Sequence, residues 1–213
     1  FWAGWTINQC RLHYLATRML SLTHNYFEFF GLEHKLVIDL TNLQKRFYEL
    51  SREWHPDRFS RKSQEEQEQA LEATAVLNDG YRTLKDPVKR AEYVLKEEGF
   101  PIGEQRSKDV PPELLEEVFE LNMMLEELRD GDDSQRPQLE QAHTNFLNMR
   151  SSTDTDIEKL FARFDAAAPE TETAKQVLHE LRGLLNRRRY IENLIRDVER
   201  ALNPALQPTE PEL

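Results

Sequence analysis

The sequence predicts an all-α protein: a helical hairpin with short flanking helices, followed by an antiparallel three-helix bundle. Three observations carry this expectation. Apolar residues recur every three or four positions through much of residues 40–202, which is the spacing of one helix face and not of a strand. Helix breakers are sparse, with 7 Gly and 10 Pro among 213 residues. Charged residues make up 31% of the chain and hydrophobic residues 38%, a balance that suits helices and neither a collagen-like nor a low-complexity polymer. The length is sufficient to bury a core without staples. Cys10 is the single cysteine, so an internal disulfide and a Cys-based zinc or iron–sulfur site within one chain are excluded.

Charge divides the chain into three kinds of material. The formal net charge is -11, which argues against general nucleic-acid binding because phosphate contacts need clustered, uncompensated Lys and Arg. Residues 1–24 carry Arg11 and Arg18 and no acid, residues 25–100 carry 12 basic and 15 acidic groups, and residues 101–213 carry 14 and 24. No run approaches the roughly 18 consecutive apolar residues of a membrane span, so no membrane partner is expected.

The first segment has two of the three tryptophans and no clear helical stripe. Its Arg-containing, acid-free composition fits an organellar targeting peptide. Two plainer readings compete with it, a disordered tail and translated sequence upstream of a start at Met19. The nearness of Met19 to the first periodic segment favours the start-site reading. No apolar stretch followed by a small-residue cleavage site suggests a secretory signal.

Tyr26, Phe27, Phe29, Phe30 and Leu32 form a short aromatic segment able to cap the hairpin. From Leu40 the apolar positions run Leu40, Leu43, Phe47, Leu50, Trp54, one face of a helix, with Asp39 in front as its N-cap. Lys45, Arg46 and Arg52 lie off that face, and the basic run continues through Arg58, Arg61 and Lys62. Between residues 41 and 62 there are six basic and three acidic groups, a positive strip in an acidic protein. A solvated helix face is the plain alternative.

This helix must stop near Trp54, because Pro56 disfavours the α conformation at His55 and has no N–H to give. A loop rich in Ser, Arg and Lys follows. The second helix of the hairpin is expected from about Gln64 to Leu84, with Ala70, Ala73, Leu77, Tyr81 and Leu84 on one face, the alanines permitting close approach. Asp86-Pro87 reads as an N-cap with Pro at the first helical position, and Gly99 as the C-cap of a short helix containing Ala91, Val94 and Leu95.

His55-Pro56-Asp57 is thereby displayed at the tip of an antiparallel helical pair. His55 and Asp57 could in principle form the acid–base pair of a hydrolase, but no nucleophile, Gly-rich phosphate loop or metal-ligand cluster accompanies them. An exposed, proline-stiffened loop at the end of a basic helix is better suited to docking. Residues 26–100 resemble a J domain. The resemblance rests on YFEFFGLE, WHPDRF and NDGYRTLKDPVKRAEYVL, with the Y-x-x-L-x-D-P-x-x-R-A-x-Y pattern at 81, 84, 86, 87, 90, 91 and 93. It implies a module that binds a DnaK-type chaperone and stimulates its ATP hydrolysis, with His55, Pro56 and Asp57 as the trigger. Lys45, Arg46 and Arg52 would supply electrostatic docking to an acidic partner surface, and complementary charge sets encounter rate and orientation.

Past the loop FPIGEQRSKDVPP the zinc-binding cysteines and Gly/Phe-rich linker of generic J proteins are absent. The first bundle helix, about Pro112 to Arg129, carries Leu114, Val118, Leu121, Leu125 and Leu128. The second shows Leu139, Ala142, Phe146 and Met149, and the phase resumes at Ile157, Leu160 and Phe164, which favours one long helix across Ser151–Thr155 over two. The third, about Thr171 to Leu202, carries Ala174, Val177, Leu181, Leu184, Ile191, Ile195, Val198 and Leu202 before Pro204 and a polar tail. Three amphipathic helices imply an antiparallel bundle.

The first bundle helix has a second apolar stripe. Leu115, Phe119 and Met123 recur every four residues, about 100° from the core stripe. They are either a widened core face or a binding surface. Over residues 26–202 the arrangement of J domain, short loop and acidic bundle resembles the HscB family of iron–sulfur cochaperones. In that family the bundle binds the scaffold protein IscU and delivers it to a specialised DnaK-type chaperone, HscA in many bacteria.

The segment L-E-E-V-F-E-L-N-M-M-L from Leu115 to Leu125 is similar to the family's L-M-E-x-L-E-L-R-E-E-L, which implies scaffold contacts at Leu115, Phe119 and Glu120, joined by Met123. Glu116, Asn122 and Met123 stand where the family commonly has Met, Arg and Glu. RRYIENL is similar to L-R-F-L-D-K-L and places Tyr190 at an aromatic scaffold contact, an aromatic tucked between helices being the alternative.

The resemblance implies a cochaperone and not an enzyme, with no cofactor. Cys10 alone cannot form the cysteine-rich metal module of some eukaryotic members, so no metal is expected in the monomer, and His143 reads as a packed or surface residue. The expected site is the bacterial cytoplasm, or the mitochondrial matrix if the leader is a targeting peptide. A J-domain cochaperone for a different client is the alternative function.

Overall fold

A computed structural model describes residues 25–100, 111–131, 133–168 and 171–203. The leader 1–24 with Cys10, nearly all of the expected linker 101–111, and the tail 204–213 lie outside them. Every regular element among the described residues is helical, and the chain divides between Val94 and Leu95 into two compact units.

The first unit opens with α1, Tyr26–Phe30, which buries Phe27, Phe29 and Phe30. Its length is set by its caps. The Asn25 side chain accepts from the N–H groups of Phe27 and Glu28, and Gly31 ends the helix at φ 64°, a conformation glycine adopts without the cost of a Cβ. The hairpin consists of α2, Leu40–Glu53, and α4, Gln64–Lys85, with a short helical turn, α3, Pro56–Phe59, between them. Asp39 caps α2 as expected, through Thr41 and Asn42.

Phe47 stacks at a tilt on Tyr81, 4.4 Å between ring centroids, and Thr74 donates from Oγ1 to the Trp54 carbonyl over 3.3 Å. These pairs fix the antiparallel register. They also explain a departure from the sequence expectation: Leu40, on the expected core stripe, is exposed. In this register it faces positions beyond Lys85, where α4 has already ended.

Gly80 is buried in α4. A Cβ there would stand 2.9 Å from Phe30 and 3.0 Å from Tyr26, so the missing side chain is what lets α1 rest on the hairpin. A second tie is Arg90 of α5, Pro87–Glu97. Its buried guanidinium donates from Nε to the Leu36 carbonyl over 2.8 Å and from Nη1 to the Leu84 carbonyl. Tyr93 stacks on Tyr26, and its hydroxyl accepts from the Tyr26 N–H over 3.0 Å. Asp86 accepts from the N–H groups of Val88 and Lys89, and Gly99 follows α5 at φ 78°.

The second unit has three main helices. A 3₁₀ turn at Pro112–Leu114 leads into α6, Leu115–Arg129, and another at Asp133–Gln135 leads into α7, Arg136–Ala166; α8 is Glu172–Leu202. α7 is one continuous helix across the polar Ser151–Thr155 stretch. Thr153 and Thr155 return their hydroxyls to the carbonyls of Met149 and Ser151, so polar side chains within the helix are satisfied locally.

The pairs Arg136–Leu202 carbonyl, His143–Glu199, Asp154–Arg188 and Arg163–Glu180 run in opposite sense along α7 and α8, which makes these helices antiparallel. The exposed ion pair among them, Arg163–Glu180, contributes little, about 0–1 kcal/mol. The core contributes more. Leu114 and Leu121 pack with Leu139, Phe146, Ile191, Leu194, Ile195 and Val198, each such side chain worth roughly 1.5–3 kcal/mol when fully buried. On α8 the buried face is wider than the expected stripe. Leu178, Leu185 and Leu194 are buried and Leu184 is only half-buried, because part of this helix packs on two neighbours.

Candidate functional site

The sequence expectation of a simple loop after Trp54 needs amending. Pro56 sits at the first position of α3, where its lack of an N–H costs nothing. His55 acts as the N-cap: the Asp57 N–H donates to His55 Nδ1 over 3.3 Å. An acceptor role requires an unprotonated Nδ1, which leaves Nε2 as the ring's donor. The Asp57 carboxylate lies 3.6 Å from the same ring nitrogen and is almost wholly exposed.

The turn is stapled at both ends. Trp54 and Phe59 are buried and stack nearly parallel, with ring centroids 5.9 Å apart. Arg58 donates to the Arg52 carbonyl over 3.0 Å, and Ser60 donates to the Asp57 carbonyl over 2.9 Å. Exposed functional groups on a fixed backbone lose little conformational freedom on docking. The sequence reading missed the roles of Phe59, Ser60 and Thr74. The alternation of buried Trp54 and Phe59 around a proline was the signal for the first of these.

The basic strip is not uniform. Lys45 and Arg52 are exposed on the outer side of α2 and make no ion pair among the described residues. Arg46 is half-buried. It donates from Nε to the Phe30 carbonyl over 2.9 Å and from Nη1 to Glu49 over 3.0 Å. Its first task is therefore to hold the end of α1 on the hairpin, and only part of its charge faces outward.

In the bundle, α6 separates its two apolar stripes. Leu114 and Leu121 are buried, with Val118, Leu125 and Leu128 packed partly against the same cluster. Leu115, Phe119 and Met123 are 55%, 67% and 49% exposed. Their four-residue spacing puts them on one outward face, so the widened-core alternative does not hold. Glu120 is exposed on the same helix.

Tyr190 is placed differently, half-buried against the cluster that also contains Leu114 and Leu121. Burial, and then the Asp197 carboxylate, push its phenol above the ordinary tyrosine range. Its ring is thus largely a packing element of α8 with an accessible edge. Among the described residues no group of three His, Cys, Asp or Glu side chains is placed to hold a metal. None of their helices is long and apolar enough to cross a membrane.

A helical hairpin presenting His-Pro-Asp at its tip is the arrangement of a J domain, the module of a class of cochaperones. The DnaJ domain family matches residues 25–93. Over 177 residues the chain is 30% identical to a co-chaperone protein HscB homolog of Shewanella loihica, spanning 83% of this chain and 96% of that protein. A Vibrio campbellii HscB homolog is 40% identical over 110 residues, covering 51% of this chain and 64% of the relative.

Among solved structures, the chaperone HscB from Vibrio cholerae aligns with a TM-score of 0.59 at 27% identity, covering 85% of this chain and 99% of that one. Human co-chaperone protein HscB shares the fold with a TM-score of 0.61 at 24% identity, covering 84% and 83% of the two chains. The chain belongs to the HscB co-chaperone family.

Proposed function

We propose that the protein is a J-type cochaperone of iron–sulfur cluster assembly that couples a DnaK-type, HscA-like chaperone to the scaffold protein IscU. Residues 25–100 face the chaperone and stimulate its ATPase. Residues 112–203 hold the scaffold and deliver it for cluster maturation and transfer. The observation that carries the reading is the exposed Leu115, Phe119 and Met123 stripe on a chain that also displays His55-Pro56-Asp57.

A contiguous outward apolar stripe on an otherwise acidic helix is a cost in solubility unless a partner covers it. The two surfaces have different chemistry. The hairpin offers Lys45 and Arg52, which make no ion pair among the described residues, and a capped, exposed His-Pro-Asp turn, which suits an acidic ATPase surface. The α6 stripe offers apolar area bordered by Glu120, which suits a mixed apolar and basic patch on the scaffold.

In this reading the chain makes and breaks no bond. Hydrolysis takes place in the partner, and the cochaperone stabilises the partner conformation that hydrolyses ATP. The test is single-turnover ATP hydrolysis by the chaperone with and without scaffold. The wild-type protein should stimulate on its own and more strongly when scaffold is present. His55→Gln should lose both effects, and Leu115→Ala with Phe119→Ala should lose only the gain due to scaffold. Unchanged stimulation by His55→Gln would remove the trigger assignment.

A further inference from the structure

Tyr48 is 54% exposed on α2, three residues after Lys45 and four before Arg52. At 100° per residue these three side chains fall within about 60° of arc on the outer face of the helix. Lys45 and Arg52 make no ion pair among the described residues, so an aromatic ring stands between two uncommitted cations.

The ring is supported from below. Phe47 meets it edge-on with centroids 5.7 Å apart, and Phe47 is in turn held by Tyr81 at 4.4 Å. The other large exposed apolar residues of this unit lack such a setting. Val37 and Leu40 lie off this face of α2, and Leu71 stands beside Glu68 and Glu72 on α4.

We propose that Tyr48 is the aromatic anchor of the chaperone-docking face. It would seat in an apolar notch of the ATPase partner whose rim carries the carboxylates that meet Lys45 and Arg52. The inference rests on the proposed docking role of the basic strip and deepens it. Charge brings the partners together and sets their orientation, while a pre-supported tyrosine, which has only two side-chain torsions to fix, supplies the desolvated centre that dominates most interfaces. It also gives the cochaperone a means of selecting among acidic partners, because charge alone discriminates poorly between them.

The experiment measures single-turnover ATP hydrolysis by the cognate DnaK-type chaperone as a function of cochaperone concentration, at low and at raised salt, with the full chain. Tyr48→Ala should raise the half-maximal concentration about tenfold and keep the wild-type salt dependence. Tyr48→Phe should remain within about twofold. The Lys45→Ala, Arg52→Ala double variant should weaken docking at low salt and flatten its salt dependence.

Leu71→Ala, an equally exposed apolar truncation away from the strip, should behave as wild type. If Tyr48→Ala also does so while the double variant is weakened, the anchor is overturned and the electrostatic docking face stands. If the double variant is unchanged as well, the docking face falls and the anchor with it.

Discussion

The backbone N–H of Asp57 donates to Nδ1 of His55 across 3.3 Å, so the histidine is both the cap of its own turn and an exposed ligand. These roles can be separated. Asn is at least as good an N-cap as the residue it would replace, but it has no imidazole Nε2. His55→Asn should therefore stay within about 0.5 kcal/mol of wild type in urea unfolding while losing at least tenfold in stimulation of the chaperone's ATPase. Retained stimulation would show that the turn's shape, and not the imidazole, is what the partner reads.

Ser63 and Glu66 form a capping box at the start of α4. The Ser63 backbone N–H and hydroxyl both donate to the Glu66 carboxylate, over 3.0 Å each, and hold it below the usual carboxylate range. A group with a lowered folded-state pKa stabilises the fold above its unfolded value and loses that contribution as pH falls through the folded one. Ser63→Ala should cost about 1 kcal/mol at neutral pH. The difference from wild type should shrink on acidification through the carboxylate range, and the Glu66 titration followed by NMR should move upward.

Leu115 and Phe119 contribute little to the bundle core because more than half of each is exposed. Truncating both to Ala should leave the thermal midpoint within about 2 °C. Scaffold binding measured by calorimetry should weaken by at least tenfold, as expected when central apolar anchors are removed. Glu120→Ala should have a smaller effect, most of it removed by salt, as for an interface-rim charge. Undiminished binding by the double variant would remove α6 as the scaffold surface.

Much of this molecule was legible because its signals are local. The Asp39 and Asp86 caps, Pro87, Gly99 and the stripes of α2, α6 and α7 depend on neighbours within a turn or two, and sequence spacing reports those directly. Other features were not legible, and three of them show why, because each depends on what lies opposite in space. Leu40 belongs to the α2 stripe by phase but faces a position where the partner helix has ended. Arg46 reads as a surface charge by spacing, yet its Nε is taken by the Phe30 carbonyl. The outward α6 stripe was ambiguous because period fixes the angle between two stripes and not which of them a third helix covers.

At Gly80 the dependence on spatial neighbours can be measured. Helix propensity alone says that Gly→Ala in the interior of α4 should stabilise by roughly 0.8–1.0 kcal/mol. At Gly80 the new Cβ would stand 2.9 Å from Phe30 and 3.0 Å from Tyr26, and Phe30 is wholly buried and has nowhere to retreat. Overpacking of this kind typically costs about 1–3 kcal/mol, so Gly80→Ala should be net destabilising in urea unfolding. Gly183 in α8 supplies the comparison, because a Cβ there meets nothing within 4 Å. Gly183→Ala should stabilise by about 0.5–1 kcal/mol. If Gly80→Ala stabilises the protein as Gly183→Ala does, the close seating of α1 on the hairpin at Gly80 is wrong.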